Sequence, residues 1–147
     1  MHVIHATSTD VPQAAQLFAA YRAFYGEPFD PDLAGDWLMQ RLEREESVIL
    51  LAIDGHKAVG FTQIYPSFSS TRLAPIWILN DLFVTEGARG GGAVDALLNT
   101  AATLGKEAGA ISIELATAHT NHRAQSVYDR HGYHVDEHYK HYEKPLP

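Results

Sequence analysis

The stretch VTEGARGGGAVDALL, Val84 to Leu98, sets three consecutive glycines between an arginine and an apolar run. Before it, IWILNDLFV (Ile76 to Val84) reads as a central strand. After it, Val94, Leu97, Leu98, Ala101, Leu104 and Ala108 recur at helical spacing and mark a long amphipathic helix. A glycine loop that joins a strand to a helix exposes successive backbone N–H groups and aims a helix N-terminus at whatever sits there. Diphosphate suits that device. The P-loop pattern needs Gly-Lys-Ser/Thr, whereas Ala93 and Val94 follow Gly92. The dinucleotide pattern needs a glycine where Asp95 stands. Both common nucleotide fingerprints fail, and the anion reading survives without them.

Working outward, HVIHA (His2 to Ala6) reads as a strand, and TSTDVP carries helix-start signals. Ala14, Leu17, Phe18, Tyr21, Phe24 and Tyr25 follow at helical spacing until Gly26 and Pro28 stop them. A second helix is expected from Pro31 to Arg44, with Leu33, Trp37, Leu38 and Leu42 on one side. SVILLAI and AVGFTQIY form a hairpin about Asp54-Gly55, and PSFSSTRLAP reads as a polar loop. AISIELAT is a strand. NHRAQSVYDRHG is a short helix, capped by Asn121 and ended by Gly132. YHVDEHYKHYEK alternates and is expected to close the chain as a strand.

The chain has 147 residues, a length that suits one domain with one core. It has no cysteine, which excludes disulfides, thiolate metal sites and a cysteine nucleophile. Its net charge of −7 argues against nucleic acid as the main partner and suits a cationic substrate. No apolar run approaches the ~18 residues of a membrane span, and the N-terminus lacks the pattern of a secretory signal. A cytoplasmic protein without a membrane partner is expected.

Arg89-Gly90-Gly91-Gly92-Ala93-Val94 resembles the Q/R-x-x-G-x-G/A signature of the GCN5-related N-acetyltransferases (GNAT). Arg89 and Gly92 match, while Val94 departs from the usual Gly or Ala. Asn121, Ala124, Tyr128 and Gly132 match the family spacing N-x-x-A-x-x-x-Y-x-x-x-G, and NDLFV resembles its central fourth strand. The look is that of the diamine and small-molecule branch. The resemblance runs from Val3 to Tyr142. It implies a single α/β domain over residues 1–147 with a mixed, mostly antiparallel central sheet, splayed between the fourth and fifth strands. The element order is β-α-α-β-β-β-α-β-α-β.

The resemblance also implies acetyl-coenzyme A as co-substrate. Its pantetheine arm would pair with the main chain of Leu82, Phe83 and Val84, and its diphosphate would meet Arg89, Gly90, Gly91, Gly92, Ala93 and Val94. Asn121, Ala124 and Tyr128 would complete the cofactor site. The reaction is attack of a neutral amine on a thioester. An amine of pKa ~10 must lose a proton, and a thiolate of pKa ~8.5 gains from an acid. Tyr128 fits the acid, or else only packs a helix face with Ala124, Val127 and His131. A main-chain N–H near Phe83 or Val84 would serve the oxyanion. Asn80 cannot be a carboxylate base; Asp81 can, or else it is a structural residue bonded to loop backbone and a water relay takes the proton. Strict alternation forbids both from facing the cleft. Tyr21, Tyr25, Phe29, Asp36, Tyr65 and Asn80 are candidate acceptor residues, with Asp30 and Asp32 nearby.

The acceptor expected is a small primary amine, a polyamine or an amino acid, ahead of a protein lysine or N-terminus. The rival reading is a non-catalytic acyl-coenzyme A sensor on the same fold. His119, His122, His131, His134, His138 and His141 suggest a metal site, but His134 and His138 would lie on one strand face and His141 on the other, so no metal is expected. An alternating last strand is compatible with pairing into a homodimer.

Overall fold

The computed structural model describes residues 1–147. Two compact units divide the chain, Met1–Ala116 and Thr117–Pro147. The first holds β1 (His2–His5), α1 (Val11–Phe24), α2 (Pro31–Glu43), β2 (Val48–Asp54), β3 (Lys57–Ser69), β4 (Ala74–Val84), α3 (Ala93–Glu107) and β5 (Ile113–Glu114). The second holds α4 (His122–Arg130).

The five strands lie in sequence order in one sheet. The first three pairings are antiparallel, and β4–β5, which needs α3 as its crossover, is parallel. Alternation sorts the buried strand residues to two faces. Ile49, Leu51, Ile53 and Phe61 pack with Val11, Ala14, Leu17 and Phe18 of α1 and with Leu38 of α2. Leu50 and Ala52, also fully buried, point to the other face, which α3 covers. There Gly105 of α3 lies against the Trp77 ring, so close that a Cβ would meet Cε3 at 3.2 Å. No helix is long and apolar enough to cross a membrane.

The expected stripes hold in part. Leu38 is buried and Leu42 half-buried, but Leu33 and Trp37 are 55% and 46% exposed. Phe24 and Tyr25 also run out of the core. The β2–β3 turn is Gly55–His56, one residue later than Asp54-Gly55, with Gly55 at φ +64°.

Two expectations are corrected. The polar stretch from Pro66 to Ser69 is strand, paired with Trp77 to Ala74, and only Ser70–Leu73 turns. Pro66 is tolerated because β3 has outrun β2, whose pairing ends at Val48–Ile64, and is an edge strand there. The alternating tail after Gly132 forms no strand. Asp136 Oδ1 accepts from the backbone N–H groups of His138 and Tyr139 at 2.8 and 3.0 Å, a local turn that competes with extended backbone. The element order therefore ends at α4, and the strand edge expected for a second copy is not formed.

Candidate active site

The register of β3 on β4 slips at one point. Gln63 faces Asp81 and Ile64 faces Leu79, which leaves Asn80 as an extra residue, a β-bulge. Asn80 and Asp81 consequently line the same pocket, against the strict alternation expected of neighbours. The pocket has a volume of about 600 Å³. Phe18 and Arg22 of α1, Leu33, Asp36, Trp37 and Gln40 of α2, and Tyr65 of β3 form its walls. The exposed Leu33 and Trp37 are thus pocket lining rather than failed core. Trp37 is held by Arg41, whose guanidinium carbon lies 4.2 Å from the ring centre.

Asp81 is 5% exposed. Gln63 Nε2 donates to its Oδ2 at 2.7 Å and Asn80 Nδ2 to its Oδ1 at 3.2 Å. The Tyr21 hydroxyl is also hydrogen-bonded to it. Burial raises the Asp81 pKa above the ordinary carboxylate value, and the three hydrogen bonds oppose that rise. Tyr21 is pushed well above the ordinary phenol range, first by burial and then by the Asp81 charge. It stays a protonated donor. Burial also raises Tyr65, while its hydrogen bond with Trp37 opposes the shift.

Next to this pocket, β5 touches β4 only at Trp77–Ile113 and Ile78–Glu114. Pairing stops two residues before the bulge, and bulges bend a strand. The β4 edge from Leu79 to Val84 has no strand beside it in this unit, which is the splay expected between the fourth and fifth strands. Half-buried Leu82 and Phe83 and buried Val84 lie along that edge.

Past Val84 the chain turns through the glycines into α3. Gly90 and Gly92 take φ of +82° and +89°, where a side chain is strained. Gly92 is the N-cap of α3 and brings no side chain to bond the helix amides. Ala93 and Val94 stand in the first turn, where N–H groups have no carbonyl one turn back. Arg89 Nε donates to Val84 O at 3.3 Å and ties the loop to the end of β4. An uncapped helix start with left-handed glycines fits a diphosphate. Gly92→Ala is expected to cost about 1–2 kcal/mol of stability. It should also weaken coenzyme A binding, which melting curves and calorimetry would measure.

In the second unit, Asn121 Oδ1 accepts from Ala124 N at 3.1 Å and caps α4. Ala124, Val127, Tyr128 and His131 share the half-buried face of the helix. The Tyr128 ring meets Tyr133 edge-on at 5.7 Å. Gly132 ends the helix at φ +85°.

Of the acceptor candidates, Asp36, Tyr65 and Asn80 line the pocket with Asp81. Tyr21 does not line the pocket, but its hydroxyl is hydrogen-bonded to Asp81. Tyr25 and Phe29 do not line it and are 64% and 57% exposed. Tyr25 packs edge-on to Tyr21 at 5.1 Å. Asp30 caps α2 by accepting from Leu33 N at 3.1 Å. No group of three or more His, Cys, Asp or Glu is placed to hold a metal ion. Sequence reasoning missed Arg22, Trp37 and Gln63. Gln63 had a signal, a long polar side chain inside the apolar run GFTQIY.

Residues 14–133 match the profile of the Acetyltransferase (GNAT) family. The chain belongs to that family and is an acetyltransferase. It is 42% identical over 142 residues to YhfO of Bacillus subtilis (strain 168), described as an uncharacterized N-acetyltransferase. That match covers 97% of this chain and 95% of YhfO. It is 33% identical over 79 residues to HPA3 of Saccharomyces cerevisiae (strain ATCC 204508 / S288c), a D-amino-acid N-acetyltransferase, covering 54% of this chain and 49% of HPA3. A crystal structure of a probable acetyltransferase superposes with a TM-score of 0.95 at 39% identity, over 100% of this chain and 99% of that one.

Proposed function

We propose that this acetyltransferase moves the acetyl group of acetyl-coenzyme A to the primary amine of a small molecule, by direct attack in a ternary complex. The carrying observation is Asp81, a buried carboxylate that lines one pocket and lies on the strand whose free edge suits the donor. When bound, the co-substrate supplies an activated acyl carbon and a thiolate leaving group. Leu82 to Val84 would hold it through main-chain groups. The amides after Arg89 would hold its diphosphate, and Asn121, Ala124 and Tyr128 would complete the grip.

Asp81 acts as base, taking a proton from the arriving ammonium group directly or through one water. Its raised pKa brings its basicity nearer to the amine than an ordinary carboxylate allows. Tyr128 acts as acid, giving its phenol proton to the departing sulfur. Asp36 and Tyr65 face the acceptor with Asn80. Arg22 is the one cationic side chain in the pocket lining, and it fits a carboxylate. Its ion pair with Glu27, whose side chain is 58% exposed, is long at 3.7 Å. That favours an amino acid over a polyamine, and the name of HPA3 points the same way.

The test is release of free thiol from acetyl-coenzyme A with a panel of D- and L-amino acids, polyamines and a lysine-containing peptide. Turnover is expected with at least one small amine. Thermal stabilisation by coenzyme A with no amine acetylated would overturn this reading in favour of a sensor. Turnover with the peptide alone would overturn the small-molecule assignment.

A further inference from the structure

Four polar residues are buried in this chain: Ser47, Thr62, Gln63 and Asp81. All four belong to one hydrogen-bonded chain. Ser47 Oγ donates to Gln63 Oε1 at 2.9 Å, and Gln63 Nε2 donates to Asp81 Oδ2 at 2.7 Å. Thr62 Oγ1 donates to the Asp81 carbonyl at 2.7 Å. No buried side-chain polar atom lacks a partner. Every other buried residue is hydrophobic or glycine. Burying a polar group is costly unless it is hydrogen-bonded, so four of them bonded to one another around one carboxylate ask for a reason.

The direction of the bonds supplies it. An amide has a donor end and an acceptor end. Ser47 donates to the Gln63 oxygen, which leaves the NH₂ end toward Asp81. With the amide turned over, its oxygen would face the carboxylate and the ionised form would lose its best donor. The ladder pairing of Gln63 opposite Asp81 fixes the approach. Thr62, holding the Asp81 carbonyl, steadies the same residue from the backbone side.

We infer that Gln63, oriented by Ser47, is a positioning residue that aims the Asp81 carboxylate into the pocket and favours its ionised form. This rests on the reading of Asp81 as the base. The other titratable, charged or bonded groups about Asp81 are Tyr21 and Asn80, which hydrogen-bond it, Tyr65 of β3, and Arg22 of α1 and Asp36 of α2, which line the same pocket. They are constant across the variants below, so a shift reports Gln63 alone. The hydrogen bond favours the charged state, so removing it raises the Asp81 pKa.

The experiment is a carbon-13 carboxyl NMR titration of Asp81 in the full chain, wild type against Gln63→Met and Ser47→Ala, with kcat/KM measured against pH in the same proteins. Hydrogen bonds to charged groups predict a rise of about one to two pH units in Gln63→Met. A smaller rise in the same direction is expected in Ser47→Ala. The acidic limb of kcat/KM moves with it, so activity falls more at neutral pH than on the alkaline plateau. A packing role alone would lower the plateau and leave the limb in place. An unmoved carboxyl titration in folded Gln63→Met overturns the inference. If that variant does not fold, an unmoved titration in Ser47→Ala does so. Asp81→Asn turnover separates the two claims. Full activity there overturns the base and not the NMR-measured coupling. Lost activity beside an unmoved titration overturns the coupling and not the base.

Discussion

Asp81→Asn is expected to lower kcat/KM by about 10²–10⁴-fold, the range that a positioned general base supplies. Affinity for acetyl-coenzyme A should stay unchanged in calorimetry. The substitution keeps an oxygen for Gln63 Nε2 and removes a buried charge. Melting temperature is therefore expected to stay level or rise at neutral pH. The sign follows from linkage. The Asp81 pKa is raised in the folded protein, so the native state binds the proton more tightly than the unfolded chain. Wild-type stability then falls as pH climbs from the unfolded value to the native one. Asp81→Asn lacks that loss, and the gap between the two melting curves should widen over the same interval. A variant that keeps wild-type kcat/KM, or that melts well below wild type, would contradict the assignment.

Tyr128→Phe is expected to cut kcat by about 10²-fold or more, the lower end of acid catalysis. The ring that packs edge-on to Tyr133 is retained, so the change isolates the hydroxyl. The discriminating measurement varies the leaving group. An acetyl donor whose thiol is more acidic needs less help, so the loss should shrink with it. A loss that stays constant across donors, or none at all, would return Tyr128 to the packing of α4.

Much of the fold was legible because it rests on local signals. The glycines after Arg89, the α3 stripe from Val94 to Leu104 and the Asn121 cap each need only neighbours in sequence, and each is present, while Ala108, expected on the stripe, is the exposed C-cap. What failed depends on register or competition. PSFSSTRLAP looked like a loop because of its composition, yet β3 carries Pro66 where its partner strand has ended. The last strand had the right alternation but lost to the turn at Asp136. In the site, Asp81 was visible as a carboxylate in an apolar strand. Gln63 and Ser47 were not placed with it, because a contact between strands depends on a pairing that periodicity does not state. Leu33 and Trp37 followed a helical stripe, and a stripe does not distinguish a core from the wall of a pocket.

The extra residue in β4 has a consequence for how such a protein can change. Asn80 enters the pocket face without turning over any other side chain. Phe83 still joins the aromatic contacts of Phe61 and Tyr21, and Trp77 still lies under Gly105. A sheet that needs one more functional group on a given face can obtain it by lengthening a strand, where a point substitution would have to sacrifice a residue already in use. Insertion and deletion at this one spot, more than exchange of amino acids, are then the natural route by which descendants of this chain gain or shed a polar arm beside Asp81.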